Sequence, residues 1–378
     1  MAVRLPNELL DLIAQHTTRH TQAQLSAVSR RVYYVSTRVL YASILNMDIT
    51  RTTRCLLTLS KNPELARLVR FFLYVSYSHA LGSFHALLTR ALSNMTSLQT
   101  LWFYHDTYAP MSGIKIRTSC RLTKLVYVSE SDTSYPIFQF LSTQPSIEEL
   151  HISCRSDNTS TLGPEALPAL RDLTAPLHLL PILLESRLSR LTRLSVLGTM
   201  SEPEAFVQLG MILEATKPPE SIELVIGTHI NFRTSSIIRQ VITPGLALLG
   251  LRIPFIDSLR LNIHQGRIEQ DQLQDMFTFA LPKFSNLKTL AVMSQLPASY
   301  AHVHRDPPTW LVRMTSDTPT ALPQSQVPHS EFVLTWRPLN HDALYDTSCH
   351  MQVLKSWRQV HPSLERVVFP VGAYIFID

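Results

Sequence analysis

One short pattern, an apolar residue, two variable residues, an apolar residue, one variable and another apolar, recurs along most of this 378-residue chain and limits the folds open to it. It occurs at Leu98-Leu101-Phe103, Leu122-Leu125-Tyr127, Ile147-Leu150-Ile152, Leu191-Leu194-Val196, Ile256-Leu259-Leu261, Leu287-Leu290-Val292 and Leu364-Val367-Phe369. Weaker copies lie at Leu170-Leu173 and around Ile222-Leu224-Ile226. The central residues 101, 125 and 150 are spaced by 24 and 25. That period belongs to solenoids in which each unit is a short strand and a return. Alternate strand side chains enter a shared core, and the return segment starts the next strand.

The intervening segments read as those returns. Phe84 to Leu92, Pro136 to Leu141, Glu204 to Thr216 and Gln270 to Ala280 carry helical apolar spacing, and Pro145, Pro218 and Pro282 end such stretches. The interval from Leu224 to Leu259 lengthens to 35 residues, so the array is irregular. Between Pro297 and Pro338 lie seven of the chain's 24 prolines, which oppose both helix and central strand. This stretch reads as an excursion from the array, with Phe332 to Trp336 as one more strand. A final helix is expected from Ala343 to Trp357, ahead of the last repeat and a terminal strand.

The first 47 residues differ. Pro6 opens a helix, Leu9, Leu10 and Ile13 follow at helical spacing, and Glu8 and Asp11 occupy the first turn. After a polar stretch from His16 to Gln24, a second apolar group runs through Leu25, Val28, Val32, Val35, Val39 and Leu40. So small a helical module cannot bury much alone and has to lean on the rest of the chain or on a partner. The expected fold class is therefore α/β, with a helical module at 1–47 and an irregular solenoid of parallel strands and outer helices at 48–378, interrupted by the excursion at 297–338. Leu101, Leu125, Leu150, Leu194, Leu259 and Leu290 are the expected core.

Composition removes several function classes. Only 10 residues are glycine, about 2.6% against a usual share of about 7%, and no phosphate-cradling or nucleophile-elbow motif is present. The net charge of +5 is spread along the chain without the basic stripe that nucleic acid demands. Cys55, Cys120, Cys154 and Cys349 are too sparse for a disulfide framework, which fits a reducing compartment. Neither a signal core nor an apolar run of about 18 residues is found. The expected location is intracellular, cytoplasmic or nuclear, so the acceptor-like Asn94-Met-Thr and Asn158-Thr-Ser have no role as glycosylation sites. His302, His304 and Asp306, or Cys349 with His350, have the elements of a metal site but lack a fourth ligand. Catalytic residues, metals and cofactors are expected to be none.

The opening Leu5-Pro6-Asn7-Glu8-Leu9-Leu10-Asp11-Leu12-Ile13, with Leu25-Ser26-Ala27-Val28-Ser29-Arg30-Arg31 and Leu40-Tyr41-Ala42-Ser43-Ile44, resembles the F-box motif of fungal F-box proteins with leucine-rich repeats. Val69-Arg70 and the ending His361 to Gly372 are similar to that group's first and last repeats. The resemblance implies a non-enzymatic substrate receptor of an SCF-type, cullin-based ubiquitin ligase. Leu5, Pro6, Leu9, Ile13, Leu25 and Val28 would face a Skp-family adaptor, and the repeats would hold an unknown protein target. After Ile13 the motif's bulky apolar residues are replaced by Ala14, Gln15, His16, Thr17 and Thr18.

Two other readings stand beside it. The N-terminal leucines would serve equally as a cap on the solenoid in a repeat scaffold with a degenerate F-box and no ligase. A solenoid-based enzyme would need a polar cluster that the sequence does not display. For the target, the strand positions alternating with the buried ones are Trp102, Tyr104, Lys124, Glu149, His151, Glu223, Arg260 and Arg366. Aromatics and arginines there are of the type that anchors interfaces, although the same residues also make an ordinary solvated surface.

Overall fold

The repeated apolar triplets are strands. In the computed structural model, which describes residues 5–75, 82–105, 120–129, 137–154, 162–230, 237–264, 268–295 and 342–376, nearly every triplet carries a strand of a mostly parallel sheet. The fold is α/β, as the periodicity predicts. The chain forms two units, one made of 1–197 with 212–222 and the other of 198–211 with 223–378.

The first unit opens with helices α1 (Asn7–Gln15), α2 (Arg19–Ser26) and α3 (Arg30–Ala42). Strand β1 (Ser43–Ile44), helices α4 (Ile49–Lys61) and α5 (Pro63–Ala66), strand β2 (Phe71–Val75) and helix α6 (Gly82–Asn94) follow. Then come β3 (Thr100–His105), β4 (Lys124–Ser129), α7 (Ile137–Ser142), β5 (Glu149–Ser153), β6 (Asp172–Pro176), α8 (Leu180–Leu184) and β7 (Arg193–Thr199). Successive strands pair in parallel from β1 with β2 through to β6 with β7.

The register explains the sequence pattern. Phe72, Leu101, Leu125, Leu150, Leu173 and Leu194 stand opposite one another in successive pairs and are all buried. Two residues on, Phe103 and Tyr127 stack with ring centres 5.8 Å apart, beside Ile152. Because strand side chains alternate, the apolar spacing of two in each triplet sets both rungs on the same face.

Helix starts are fixed locally. Thr18, Ser29 and Asp48 accept hydrogen bonds from the backbone N–H groups of Thr21, Val32 and Arg51, capping α2, α3 and α4. The side chain of Asn94 donates to the carbonyls of Leu59 and Ser60 at 3.0 and 3.2 Å, tying α6 to α4. That nitrogen is the one a glycan would need, so Asn94 is engaged in packing; Asn158 lies outside the described residues.

The second unit contains α9 (Pro203–Glu214, through Met211), β8 (Ile222–His229, from Glu223), α10 (Thr243–Arg252), β9 (Ile256–His264), α11 (Gln270–Ala280), β10 (Thr289–Gln295), α12 (Thr347–Val360), β11 (Arg366–Phe369) and β12 (Gly372–Ile375). Leu259, Leu290 and Val367 form its buried rung across parallel β9, β10 and β11. The terminal β12 turns back antiparallel to β11.

Helix α11 spans the residues that its spacing predicts. Helix α12 does not: Ala343 to Tyr345 form a turn, and the helix starts at Thr347, capped by Asp346, whose carboxylate accepts from the Ser348 N–H at 3.0 Å. The excursion from 297 to 338, with its expected strand at 332–336, lies outside the described residues.

Candidate partner-docking site

Helix α1 is too short to be stable alone, and two contacts to α3 place it. The Arg31 guanidinium donates to the side-chain oxygen of Asn7 at 2.7 Å and to the Leu5 carbonyl at 2.6 Å. Further along, Arg38 pairs with Asp11 at 2.6 Å. The polar edge of α1 is thereby held to α3. Several apolar side chains stay open to solvent: Leu5, Leu9, Leu12 and Ile13 are 46%, 45%, 50% and 45% exposed, alongside exposed Glu8 and Gln15.

Spacings of three from Leu9 to Leu12 and of four from Leu9 to Ile13 place these three residues along one side of the helix, and Leu5 lies just ahead of its first turn. Pro6 is exposed beside them. At the junction of α2 and α3, Val28 is 68% exposed and Leu25 half-buried. All six adaptor-facing residues implied by the resemblance are thus at least partly open to solvent. The resemblance did not supply Leu12, nor the exposed Tyr33 and Tyr34 of α3, whose rings meet edge-on at 5.7 Å. For Leu12 the signal was present as the next step of the helical spacing.

The polar run after Ile13 has a structural use. Ala14 is buried, and its carbonyl accepts from the side chain of Gln22 at 2.8 Å. Gln22 also donates to the Thr17 carbonyl at 3.1 Å, and Thr18 caps α2. The run makes the turn between α1 and α2. Behind it, Arg19 donates to the Ser43 carbonyl at 2.6 Å. The nearby Cys55 thiol is pushed up to about 11 by burial, so it stays protonated and unreactive at neutral pH.

The second candidate surface is the sheet face opposite the leucine rungs. Trp102, Tyr104, Lys124, Glu149 and His151 come together on β3, β4 and β5 in the first unit, while Glu223, Arg260 and Arg366 belong to strands of the second. Lys124 stands opposite Glu149 and binds it at 2.5 Å. His151, opposite Val126, is pushed down to about 4 by burial and by the Lys124 charge, so it is neutral at pH 7. Arg260 donates to the Asn262 side chain at 3.3 Å, and Arg366 is exposed.

Trp102 corrects the sequence reading: it is only 4% exposed and meets Phe71 edge-on at 5.4 Å, so it is not a solvent-facing anchor. Among the described residues, its indole N–H and the hydroxyl of half-buried Tyr104 have no hydrogen-bond partner. Alternation alone assigns a face, not its exposure.

The remaining polar candidates are accounted for by packing where they are described. Both ring nitrogens of buried His350 are occupied, one by the Tyr374 hydroxyl at 2.8 Å and one by the Ala343 carbonyl at 2.9 Å. His302, His304 and Asp306 lie outside the described residues. Among the described residues, no group of three His, Cys, Asp or Glu side chains is placed to hold a metal ion, and no helix is long and apolar enough to cross a membrane. No protein-family model matches the chain, and no curated protein matches it.

Proposed function

We propose that the chain is the substrate receptor of an SCF-type ubiquitin ligase, docking a Skp-family adaptor through α1 to α3 and a target protein through its leucine-rich-repeat solenoid. It performs no chemistry itself in this reading. The observation that carries it is the set of open apolar residues Leu5, Leu9, Leu12 and Ile13, together with exposed Val28 and half-buried Leu25, in a segment whose sequence resembles the F-box. Contiguous exposed apolar side chains at one end of a folded chain mark a partner surface. Covering them yields roughly 25 cal/mol per Å² of apolar area before association costs are subtracted.

The parallel strands with a leucine rung at each step support the repeat reading, and the ion-paired, half-buried strand residues of β4 and β5 supply a surface for the target. The test is co-purification of the full chain with a Skp-family adaptor under conditions that retain other F-box proteins. Stoichiometric capture is expected. Absence of capture overturns the ligase reading and leaves a repeat scaffold with a degenerate F-box.

A further inference from the structure

The cationic side chains of this protein are overwhelmingly arginine. Of 34 lysines and arginines only seven are lysine: Lys61, Lys115, Lys124, Lys217, Lys283, Lys288 and Lys355. None occurs in the first 60 residues, which carry seven arginines, and none between Lys124 and Lys217. Among the described residues, Lys124 pairs with Glu149 at 2.5 Å and Lys288 with Glu365 at 3.4 Å; Lys115 lies outside them.

Geometry demands arginine at some of the other positions. Arg31 uses its planar fork to reach both Asn7 and Leu5, and Arg187 bonds several carbonyls at once. At others it does not. Arg54 on α4, Arg90 on α6 and Arg121 before β4 are exposed, and none has an ion pair or a side-chain hydrogen bond among the described residues. Lysine would serve equally there, since the two residues carry the same charge and, for the helical Arg54 and Arg90, have similar helix propensity.

The difference between them is chemical. A lysine ε-amine attacks the thioester carbonyl that joins the ubiquitin C-terminus to the conjugating enzyme's cysteine. An isopeptide C–N bond forms, the C–S bond breaks, the cysteine leaves as thiolate, and the amine's surplus proton passes to solvent. An arginine guanidinium stays protonated and delocalised and cannot act as the nucleophile.

We propose that the arginine-for-lysine usage protects the receptor from modification by the ligase it joins, keeping the +5 charge while withholding acceptor amines. This inference rests on the adaptor-docking reading above. The triple variant Arg54→Lys/Arg90→Lys/Arg121→Lys tests it in a reconstituted ligase containing the adaptor, the cullin core, charged conjugating enzyme and the full-length receptor. Circular dichroism and adaptor capture, both expected to be unchanged, show that the variant is folded and docked.

Ubiquitin incorporation into the variant should exceed that into the wild type several-fold, with the added isopeptide linkages mapping to the new lysines. Equal incorporation into both, or incorporation at the original seven lysines alone, overturns the inference while leaving docking intact. Failure of the wild type to bind the adaptor is a different result: it removes the docking reading, and this inference falls with it.

Discussion

The side-chain amide of Gln22 donates to the backbone carbonyl of Ala14 across 2.8 Å, joining the end of the first helix to the middle of the second. This bond gives the polar run from Ala14 to Thr18 a function: the first helix ends there, and a buried amide fastens the connection to the second. Replacing Gln22 by Met keeps the volume and removes the donor. The expected cost is about 1–3 kcal/mol, the range for an unmade buried hydrogen bond. Amide hydrogen exchange should quicken in α1 and α2 first; unchanged protection of both helices would show that the bond does not hold them.

Leu150 lies between Leu125 and Leu173 in the leucine rung and is 1% exposed. Leu150→Ala should therefore destabilise the first unit by about 2–5 kcal/mol in denaturant unfolding, as for other buried leucines. A loss below about half a kcal/mol would mean that the site collapses around the cavity and that the rung is not the core.

Arg187 is 1% exposed and, among the described residues, forms no ion pair within 4 Å. Its guanidinium instead donates to the carbonyls of Gly163, Ala166, Ile182 and Leu183, spanning the irregular segment between β5 and β7. Arg187→Met strands several of these acceptors and should cost at least about 2 kcal/mol. Arg187→Lys should be nearly as damaging, because a single ammonium cannot reproduce the fork. Retained stability in the lysine variant would show that charge, not geometry, is what the segment needs.

His151 provides a pH signature. Burial and the Lys124 charge lower its folded-state value from 6.5 to about 4, so the unfolded chain takes up the proton first as pH falls. Stability from this group is full above about pH 6.5 and declines between there and about pH 4, by at most about 3 kcal/mol. His151→Gln removes the titrating group and should flatten that part of the stability profile. A variant with the wild-type slope across the same window would assign the pH dependence to other groups.

Much of the repeat architecture was legible because its signal is periodic. Leu101, Leu125, Leu150, Leu194, Leu259 and Leu290 are all buried, since a two-residue strand period leaves one face for them. Helix α11 was readable from its own period, the helical apolar spacing of Gln270 to Ala280. The irregular parts were not. Nothing local marks Arg187 as buried, because its acceptors are backbone carbonyls. Nor does strand alternation reveal that Trp102 is enclosed, because enclosure depends on neighbours distant in sequence. On the candidate docking site, the residues implied by the F-box resemblance are open to solvent, but the bonds that present them, from Arg31, Arg38 and Gln22, depend on tertiary contact.

Docking through the open apolar residues at the start of the chain is tested most directly by Leu5→Asp with Leu9→Asp. Both side chains are nearly half exposed, so the charges should be tolerated in the free protein. The measurement is co-purification of a Skp-family adaptor with wild type and double variant, alongside circular dichroism. The wild type should retain the adaptor and the double variant should lose it, with an unchanged circular dichroism spectrum. Equal retention by both proteins would contradict docking through these residues and place any docking surface elsewhere.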